Sequence, residues 1–510
     1  MKMHHNGYTR RNFMQTVLAG AVGLSCFSRD TGAKQTSQDC PNILFVYLDD
    51  LGYGDVSCYN PDSKIPTPNI DRLAKEGIVF SDAHTAAAIC GPSRYGLMTG
   101  RYPWRRGPGG CGNGAKFRDV FIEEDRLTLA SLLKKKGYNT AQIGKWGIRH
   151  NYADALKPGG KPGHKDAYDF PNKRLLGSQL FGFDYSWCMT HLFPREGATD
   201  IDIYNKHQLE NGLPVDPTLG FSDPYRWLPD SAMQVVEYIE TYAGKRRNPK
   251  FGLDRNNPFF IYWDPPSPHE PIVPNTKFLG QSGAGRYGDF VVEIDHYIGK
   301  MLDALDRLQL FDSTLVVFSS DNGPENTCYK RIQSHKHYSM GPLRGIKRDA
   351  WEGGHRVPLI VRWPGVVKSG QRCDELVCMT DWLSTFAEMT DQKLPIDAGE
   401  DSVSIEPLLE GIKKPVRASV VHHRSSGQFA IRHKDWLLVD CKAGGSREPD
   451  WFRKERGVIP HTLLTELFNL KTDPQQTINL SEKYPEKVKA LKLLLKQELT
   501  KEGNKLCCKE

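Results

Sequence analysis

The sequence is poor in the features that mark membrane-spanning, repetitive or nucleic-acid-binding proteins. Beyond the first residues no apolar run approaches the roughly 20 residues that a transmembrane helix needs, so we expect no membrane span. We find no internal repeat and no low-complexity tract. The formal net charge is only +7, and it falls to +4 without Lys2, Arg10 and Arg11, which lie in a segment that we expect to be removed. This balance excludes the strongly basic class of nucleic-acid-binding proteins.

Paired Cys-x-x-Cys motifs are also missing, although the chain has 12 cysteines. Structural zinc sites commonly use two such pairs, so nothing in the cysteine spacing supports one. In an oxidising compartment some cysteines could form disulfides, and Cys373 and Cys378 are close enough in the chain to pair locally. The spacing alone leaves the connectivity open.

The first residues are typical of an export signal. Arg10 and Arg11 precede a short apolar stretch, 17–24, which is too short and too rich in Gly and Ala to span a bilayer. A twin-arginine pair of this kind resembles the signals that export folded proteins. Cys26 follows where a bacterial lipoprotein would be cleaved and lipidated. We therefore predict residues 1–39 as signal and linker of a periplasmic or extracellular protein, with a lipid anchor at Cys26 or a disordered basic tail as alternatives.

Buried strands alternate with amphipathic helices along most of the chain. Nearly continuous apolar runs predict strands at 42–48, 140–143, 258–263 and 315–318. Caps and 3.6-residue periodicity predict helices at 67–77, 127–136 and 294–308. This alternation predicts an α/β fold over residues 40–400, with a large, mainly parallel sheet flanked by helices. Residues 401–510 predict a smaller α+β domain, with a hairpin at 429–439, a strand at 467–470 and a helix at 485–499.

Polar residues follow these predicted strands where each strand ends. They are Asp49, Asp50, Lys145, His269, Asp321 and Asn322. Because open α/β sheets bind ligands at the carboxyl ends of their strands, we expect these residues to converge on one pocket. The three carboxylates and the amide offer only hard oxygen ligands, which suit calcium or magnesium better than zinc or copper. Taken alone, each acidic pair is better explained by a turn or a helix cap.

The segment from Cys90 to Arg94 reads Cys-Gly-Pro-Ser-Arg, and 97–101 predicts a short helix after it. An unmodified thiol is a poor partner for hard oxygen ligands. Conversion of Cys90 to an aldehyde, hydrated to a geminal diol, removes that mismatch. One hydroxyl would then ligate the metal and attack sulfur, while Arg94 stabilises the developing negative charge. Without its neighbours the same segment is explained equally well by a buried cysteine near a turn.

Together these motifs resemble the formylglycine sulfatases of the alkaline phosphatase-like superfamily, over about residues 40–480. The matching segments are Cys90–Arg94 with Thr99–Arg101, Gly144–Trp146, Pro268–Pro271, Gly341–Lys347 and Trp351–Gly354. The resemblance implies an alkaline phosphatase-like fold and a maturation enzyme that converts Cys90 to formylglycine. It implies a divalent metal, Ca²⁺ with Mg²⁺ as the alternative, held by Asp49, Asp50, Cys90, Asp321 and Asn322. It also implies that Lys145, His269 and Lys347 bind the sulfate, with His269 as a proton donor to the leaving alcohol.

One position departs from the family pattern. The family commonly has a histidine directly after Lys-Trp, where this chain has Gly147. The resemblance implies that this histidine helps to release sulfate, so another group must replace it. His150, His164 and His191 are the candidates, and we favour His191 as a substrate-binding residue because it follows the 182–184 segment near the expected pocket rim.

These inferences predict hydrolysis of sulfate esters on a carbohydrate. The segments 278–280, 285–288 and 293–295 resemble sulfatases that act on galactose or N-acetylgalactosamine 6-sulfate. A phosphonate or phosphodiester hydrolase of the same superfamily is the alternative that keeps the fold and changes the substrate. A non-catalytic binder of sulfated glycans is the alternative that Gly147 suggests.

Overall fold

Strands and helices alternate along the chain as the apolar periodicity predicts. The computed structural model describes residues 40–107, 122–148, 150, 157–160, 169, 173–189, 208–215, 223–424, 428–441, 444–445 and 448–501. Its strands are β1 (Asn42–Leu48), β2 (Ile78–Phe80), β3 (Ala83–His84), β4 (Asn139–Gly144), β5 (Tyr185–Met189), β6 (Gln208–Glu210), β7 (Leu213–Pro214), β8 (Phe259–Asp264), β9 (Thr314–Ser320), β10 (Leu359–Arg362), β11 (Gln371–Cys373), β12 (Val377–Cys378), β13 (Ser419–Arg424), β14 (Gln428–His433), β15 (Trp436–Val439) and β16 (Glu466–Asn469). Its helices are α1 (Pro68–Glu76), α2 (Cys90–Thr99), α3 (Leu129–Lys135), α4 (Pro224–Tyr242), α5 (Gly285–Arg307), α6 (Cys328–His335), α7 (Glu352–His355), α8 (Trp382–Met389), α9 (Glu406–Leu409), α10 (Asp450–Glu455) and α11 (Pro485–Thr500).

The main sheet has ten strands in the order β11-β2-β10-β9-β1-β8-β4-β5-β6-β7. Its centre is parallel, since β1 pairs in parallel with β8 and β9, and β4 pairs in parallel with β8 and β5. Antiparallel pairs β9–β10 and β5–β6 begin the two flanks. Helices cover both faces, which confirms the predicted fold class.

The alternation of side chains along β1 shows why the sequence folds in this way. Leu44, Val46 and Leu48 pack on one face with apolar residues of α1, α4 and α5. Ile43, Phe45 and Tyr47 pack on the other face with residues of α2, α3 and α8. A strand buried on both faces needs an unbroken apolar run, and all seven residues of β1 are buried.

Two local predictions need correction. The helix predicted at 97–101 begins at Cys90, because Pro92 is tolerated in the first turn of a helix. Cys373 and Cys378 do not form the suggested local disulfide; both are thiols. The two cysteines lie in different sheets, since β11 extends the main sheet, whereas β12 pairs with β3 in a separate two-stranded sheet.

A second, antiparallel sheet in the order β13-β14-β15-β16 lies in the C-terminal part of the chain. It includes the predicted hairpin and the predicted strand near 467, and β13 adds a strand that we did not predict. One of its faces packs with α11 and with Trp104, and the other packs with Trp351. The division into two domains at residue 400 stays a prediction. Within the described part of the chain, no helix is both long and apolar enough to cross a membrane.

Candidate active site

The carboxyl ends of β1 and β9 bring the predicted acidic residues together. The backbone of Asp321 donates to the Leu48 carbonyl at 3.0 Å, and the backbone of Asp50 donates to Asp321 Oδ1 at 3.1 Å. Asn322 Nδ2 donates to Asp50 Oδ1 at 2.7 Å. Asp50 adopts a φ of 66°, a conformation that Asp tolerates better than most residues. Parallel pairing therefore places four oxygen-bearing side chains in one buried cluster, although the two pairs lie 271 or more residues apart in the chain.

Two oxygens in this cluster lack a donor. Asp49 Oδ1 and Asn322 Oδ1 are buried and have no hydrogen-bond partner among the described residues. A buried acceptor without a donor is costly unless a cation or water completes it. The residues therefore fit a hard divalent cation, and an oxygen-only set of three carboxylates and an amide is what calcium or magnesium prefers.

The pKa values of the carboxylates show the same crowding. Burial and the neighbouring Asp49 raise the pKa of Asp321 to about 7. Burial would also raise the pKa of Asp49, but Lys145 and His269 outweigh it and hold this pKa well below its usual range. Ionisation of Asp321 beside the charged Asp49 is thus unfavourable until more positive charge is present.

Arg94 is buried against the acidic cluster. Its side chain is fully buried on α2, and its Nη2 lies 3.0 Å from Asp321 Oδ2 and 3.3 Å from Asp49 Oδ2. Its Nη1 lies 3.3 Å from Asp264 Oδ2 and donates to the Lys145 carbonyl at 3.2 Å. The guanidinium thus binds three carboxylates, which suits holding them in place.

Two buried lysines and one histidine complete the cluster. Lys145 Nζ lies 2.5 Å from Asp49 Oδ2, and Lys347 Nζ lies 2.8 Å from Asp50. Burial alone would lower the pKa of each lysine. The negative charge of Asp49 outweighs burial at Lys145, and that of Asp50 does so at Lys347, so the pKa of each lysine is raised. Both lysines therefore remain cationic. His269 Nε2 lies 3.6 Å from Asp50 Oδ2, while its Nδ1 bonds the Glu270 carbonyl at 2.8 Å.

Cys90 stands at the first position of α2 and is partly exposed. Its sulfur and carboxylate oxygens of Asp49 and Asp321 all lie within 4.8 Å of one another. The amino end of a helix favours negative charge, and an accessible group there can meet an anionic substrate. The geometry thus combines a reactive position, hard oxygen ligands and two cationic side chains.

The positions of the predicted residues can now be stated together. The structure brings together Asp49, Asp50, Cys90, Arg94, Lys145, His269, Asp321, Asn322 and Lys347. His191 and His164 lie outside the described residues. His150 is buried, and its Nε2 contacts Cys188 Sγ at 3.3 Å.

Sequence reasoning missed two carboxylates near this site. Asp264 ends β8 and pairs with Arg94, and it could have been found from the rule that already picked Asp49, since both follow a buried apolar run. Glu325 lies 3.7 Å from Lys347 Nζ and 2.7 Å from Arg348. It follows no predicted strand, so no pattern marks it.

Gly147 has a physical reason to be glycine in this chain. Its φ is 69°, and a Cβ built on it would lie 2.7 Å from Arg94 Cδ. Any side chain here, including the histidine common in the family, would have to displace the arginine that holds three carboxylates.

Replacing Gly147 by alanine is expected to destabilise the protein by about 2–3 kcal/mol, because backbone strain adds to the clash with Arg94. Gly252→Ala is the matched control, since Gly252 has a φ of 61° and nothing within 4 Å of its would-be Cβ. Denaturant unfolding of both variants measures the difference. Equal losses for the two variants would mean that Arg94 does not restrict position 147.

Comparison with known proteins identifies the family. The sulfatase family model matches residues 41–392. An N-acetylgalactosamine-6-O-sulfatase of Bacteroides thetaiotaomicron is 31% identical to this chain, over 93% of this chain and 95% of its own length. A human N-acetylgalactosamine-6-sulfatase is 29% identical, over 86% of this chain and 81% of its own length.

The solved structures agree with the sequence matches. A Bacteroides thetaiotaomicron protein from a genetic locus for the metabolism of multiple glycosaminoglycans superposes with a TM-score of 0.72 at 28% identity. The superposition covers 90% of this chain and 99% of that one. With a family match over most of its length and relatives aligned over nearly all of it, the chain belongs to the sulfatase family of sulfuric ester hydrolases.

Proposed function

We propose that this sulfatase removes sulfate from galactose or N-acetylgalactosamine sulfate groups of carbohydrates, using Ca²⁺ and a formylglycine made from Cys90. The observation that carries the proposal is the pairing of two buried lysines with carboxylates beside the partly exposed Cys90. Such a site combines positive charge for an anionic substrate with a position for a nucleophile.

Asp49, Asp50, Asp321 and Asn322 would hold the cation, with residue 90 completing the set. When bound, it would act as a Lewis acid toward a sulfate oxygen. The two donor-free oxygens, Asp49 Oδ1 and Asn322 Oδ1, support this role. Their burial favours Ca²⁺ over Mg²⁺, since Mg²⁺ usually keeps several of its waters.

The hydrated aldehyde of formylglycine would supply a hydroxyl nucleophile at position 90. Lys145 and Lys347 would bind the sulfate oxygens and stabilise the charge that develops on them. His269 has its Nδ1 on the Glu270 carbonyl, so Nε2, which lies 3.6 Å from Asp50 Oδ2, would be the nitrogen that meets the substrate. Burial and Lys347 lower the pKa of His269 to about 4, and a bound sulfate ester, being anionic, would raise it toward the range needed for a proton donor.

Arg94 is assigned a positioning role in this proposal. Its guanidinium contacts Asp49, Asp264 and Asp321, so its charge acts on the substrate only through these carboxylates. This differs from the direct stabilisation of the transition state that the sequence suggested for it.

The choice of sugar draws on the relatives, two of which are N-acetylgalactosamine-6-sulfatases. The segments that resemble galactose-type sulfatases now have structural contacts. Glu293 accepts hydrogen bonds from Asn275 at 2.7 and 2.6 Å, and Asp295 accepts from the backbone of Ile70 at 2.9 Å. Both side chains stabilise local structure and lend the sugar assignment no direct support.

Release of sulfate from a panel of sugars tests the proposal. N-acetylgalactosamine 6-sulfate and galactose 6-sulfate are expected to be better substrates than N-acetylglucosamine 6-sulfate, which differs in the configuration at C4. Matched aryl sulfate and aryl phosphate esters form the second arm, and kcat/KM is expected to favour the sulfate. Preference for the phosphate would support the phosphohydrolase alternative, and activity confined to another sugar class would refute the sugar assignment.

Removal of the metal is expected to lower kcat/KM for an aryl sulfate by roughly 10²–10³-fold, because a Lewis acid contributes several kcal/mol at the transition state. The protein is dialysed against EGTA, and Ca²⁺ or Mg²⁺ is then added back separately. Ca²⁺ is expected to restore activity more completely than Mg²⁺ at equal concentration. Full activity after exhaustive chelation would contradict the metal assignment.

We further propose that the chain is exported, as a periplasmic or extracellular protein, after a maturation enzyme has modified Cys90. The export signal around Arg10–Arg11 and the lipidation position Cys26 lie outside the described residues. Fractionation of the native host tests this proposal, since Cys26→Ala would release the protein from the membrane fraction only if that cysteine is lipidated.

A further inference from the structure

A second cluster of ligating side chains lies apart from the residues of the candidate active site. His84 of β3, Glu352 of α7 and His422 of β13 are all fully buried, and one ligand atom from each lies within 4.8 Å of the others. His84 and His422 are separated by 338 residues. The cluster therefore joins the main body to the C-terminal sheet.

The hydrogen bonds of the two histidines fix which nitrogens face each other. His84 Nε2 bonds Asp82 Oδ1 at 2.9 Å, and His422 Nδ1 bonds the Ala350 carbonyl at 2.9 Å. Both partners act as acceptors, so each of these outer nitrogens carries a hydrogen. The inner nitrogens, His84 Nδ1 and His422 Nε2, are then left with lone pairs that face each other at 3.0 Å.

Two facing lone pairs at this distance repel, so the gap must contain a proton or a metal ion. The separation is close to the roughly 3.3 Å expected between two nitrogens that bind one tetrahedral zinc ion. Outer N–H groups bound to a carboxylate and to a backbone carbonyl are the arrangement that metal-binding histidines show.

Glu352 is the candidate for a third ligand. Its Oε1 is buried, has no hydrogen-bond partner among the described residues and lies 3.8 Å from His422 Nε2. Arg432 Nε lies 3.6 Å from the same oxygen, too far for a hydrogen bond. His355 stacks on His422 with 4.2 Å between the ring centroids, which fixes the plane of the ligating ring.

A cleft lies beside this cluster. It measures about 400 Å³, and its walls include Asp82 and Arg432 together with Asp374, Glu375 and Asp435. Asp82, which lines the cleft, is also the hydrogen-bond partner of His84, so a single side chain connects the wall of the cleft to the cluster. Its acidic side chains also offset part of the positive charge that Arg356 and Arg432 bring to the cluster.

We propose that His84, His422 and Glu352 form a structural site for a first-row transition metal of the zinc type, separate from the hard-cation site at Asp49 and Asp321. Imidazole nitrogens with one carboxylate select such a metal over calcium. The ion would link three distant segments and fix the loop that runs from Lys347 to Glu352. Cysteine spacing could not reveal this site, because its ligands are histidines with no regular spacing.

Metal content of the purified full chain tests this proposal independently of its sulfatase activity. The protein is incubated with Zn²⁺, dialysed in calcium buffer so that the hard-cation site stays filled, and measured by mass spectrometry of metals. About one zinc per chain is expected for the native sequence, with a loss of at least tenfold in His422→Gln and in Glu352→Gln. His423→Gln is the matched control, since His423 is equally buried on β13 and neither ring nitrogen has a hydrogen-bond partner among the described residues.

Thermal unfolding gives a second measurement that does not depend on the variants folding well. A zinc chelator added in excess Ca²⁺ is expected to lower the Tm of the native protein by 5 °C or more. Fewer than 0.2 zinc ions per native chain would overturn the proposal and leave a shared proton between the histidines. Zinc retained at the native level by folded His422→Gln and Glu352→Gln would equally overturn it.

Discussion

Replacing Cys90 by alanine is expected to lower kcat/KM for an aryl sulfate by about 10⁴-fold, because the variant loses the only group at the start of α2 that can become the nucleophile. The residual rate would come from the lysines and the metal, which still bind and polarise the ester. Steady-state kinetics on protein produced with its maturation enzyme measures the loss. Mass measurement of the peptide around Cys90 must first show the native residue about 18 Da lighter than a thiol, as an aldehyde requires.

Cys58→Ala is the control for this substitution. Cys58 is also a partly exposed thiol, but it lies beside Asp71 rather than at the acidic cluster, and its removal is expected to change kcat/KM by less than about threefold. If Cys90→Ala retained a tenth of the native activity, covalent catalysis at position 90 would be ruled out.

Replacing Arg94 by methionine is expected to destabilise the protein by about 3–5 kcal/mol, since removing one partner of a buried ion pair leaves uncompensated charge. Asp49, Asp264 and Asp321 would lose the only arginine that joins them in the described part of the chain. The loss is expected to be smaller in saturating Ca²⁺, because a bound cation neutralises two of these carboxylates. Denaturant unfolding with and without EGTA measures both values.

Arg72→Met supplies the comparison for Arg94. Arg72 pairs with Glu76 and Asp306 on the surface, where an ion pair contributes about 0–1 kcal/mol. A loss for Arg94→Met no larger than for Arg72→Met would show that the three carboxylates do not depend on the guanidinium.

The sequence predicts the centre of the fold well because burial on both faces leaves a strong pattern. The run at 42–48 has no polar residue after Asn42, and the structure has β1 at Asn42–Leu48. Strands β2 and β11, which lie at one flank of the sheet, were missed, since each has three residues and no clear period. Strand β13 was missed because its sequence does not alternate between apolar and polar residues. It contains two adjacent histidines, and both are buried.

The convergence of the acidic residues was predictable from the same apolar runs that predict the parallel sheet. Asp49 and Asp321 each follow an apolar run, and parallel strands deliver their ends to one edge. The contacts of Arg94 were not predictable: the sequence suggested that it stabilises charge on the substrate, which stays a prediction, whereas the structure shows its guanidinium paired with three carboxylates. The position of a long side chain depends on which partners surround it, and Asp264 entered that list only in the structure.

The central position of β1 affects when the site can form during synthesis. Its neighbours β8 and β9 both lie more than 160 residues beyond Cys90 in the chain, and β9 carries Asp321. A ribosome adding about 5–20 residues per second needs roughly 10–50 s to pass from Cys90 to Asp321. For most of that interval the cysteine segment is outside the ribosome, while the strand that would enclose it has not yet been synthesised. The proposed conversion of Cys90 therefore has a natural time window, which closes when β9 pairs with β1.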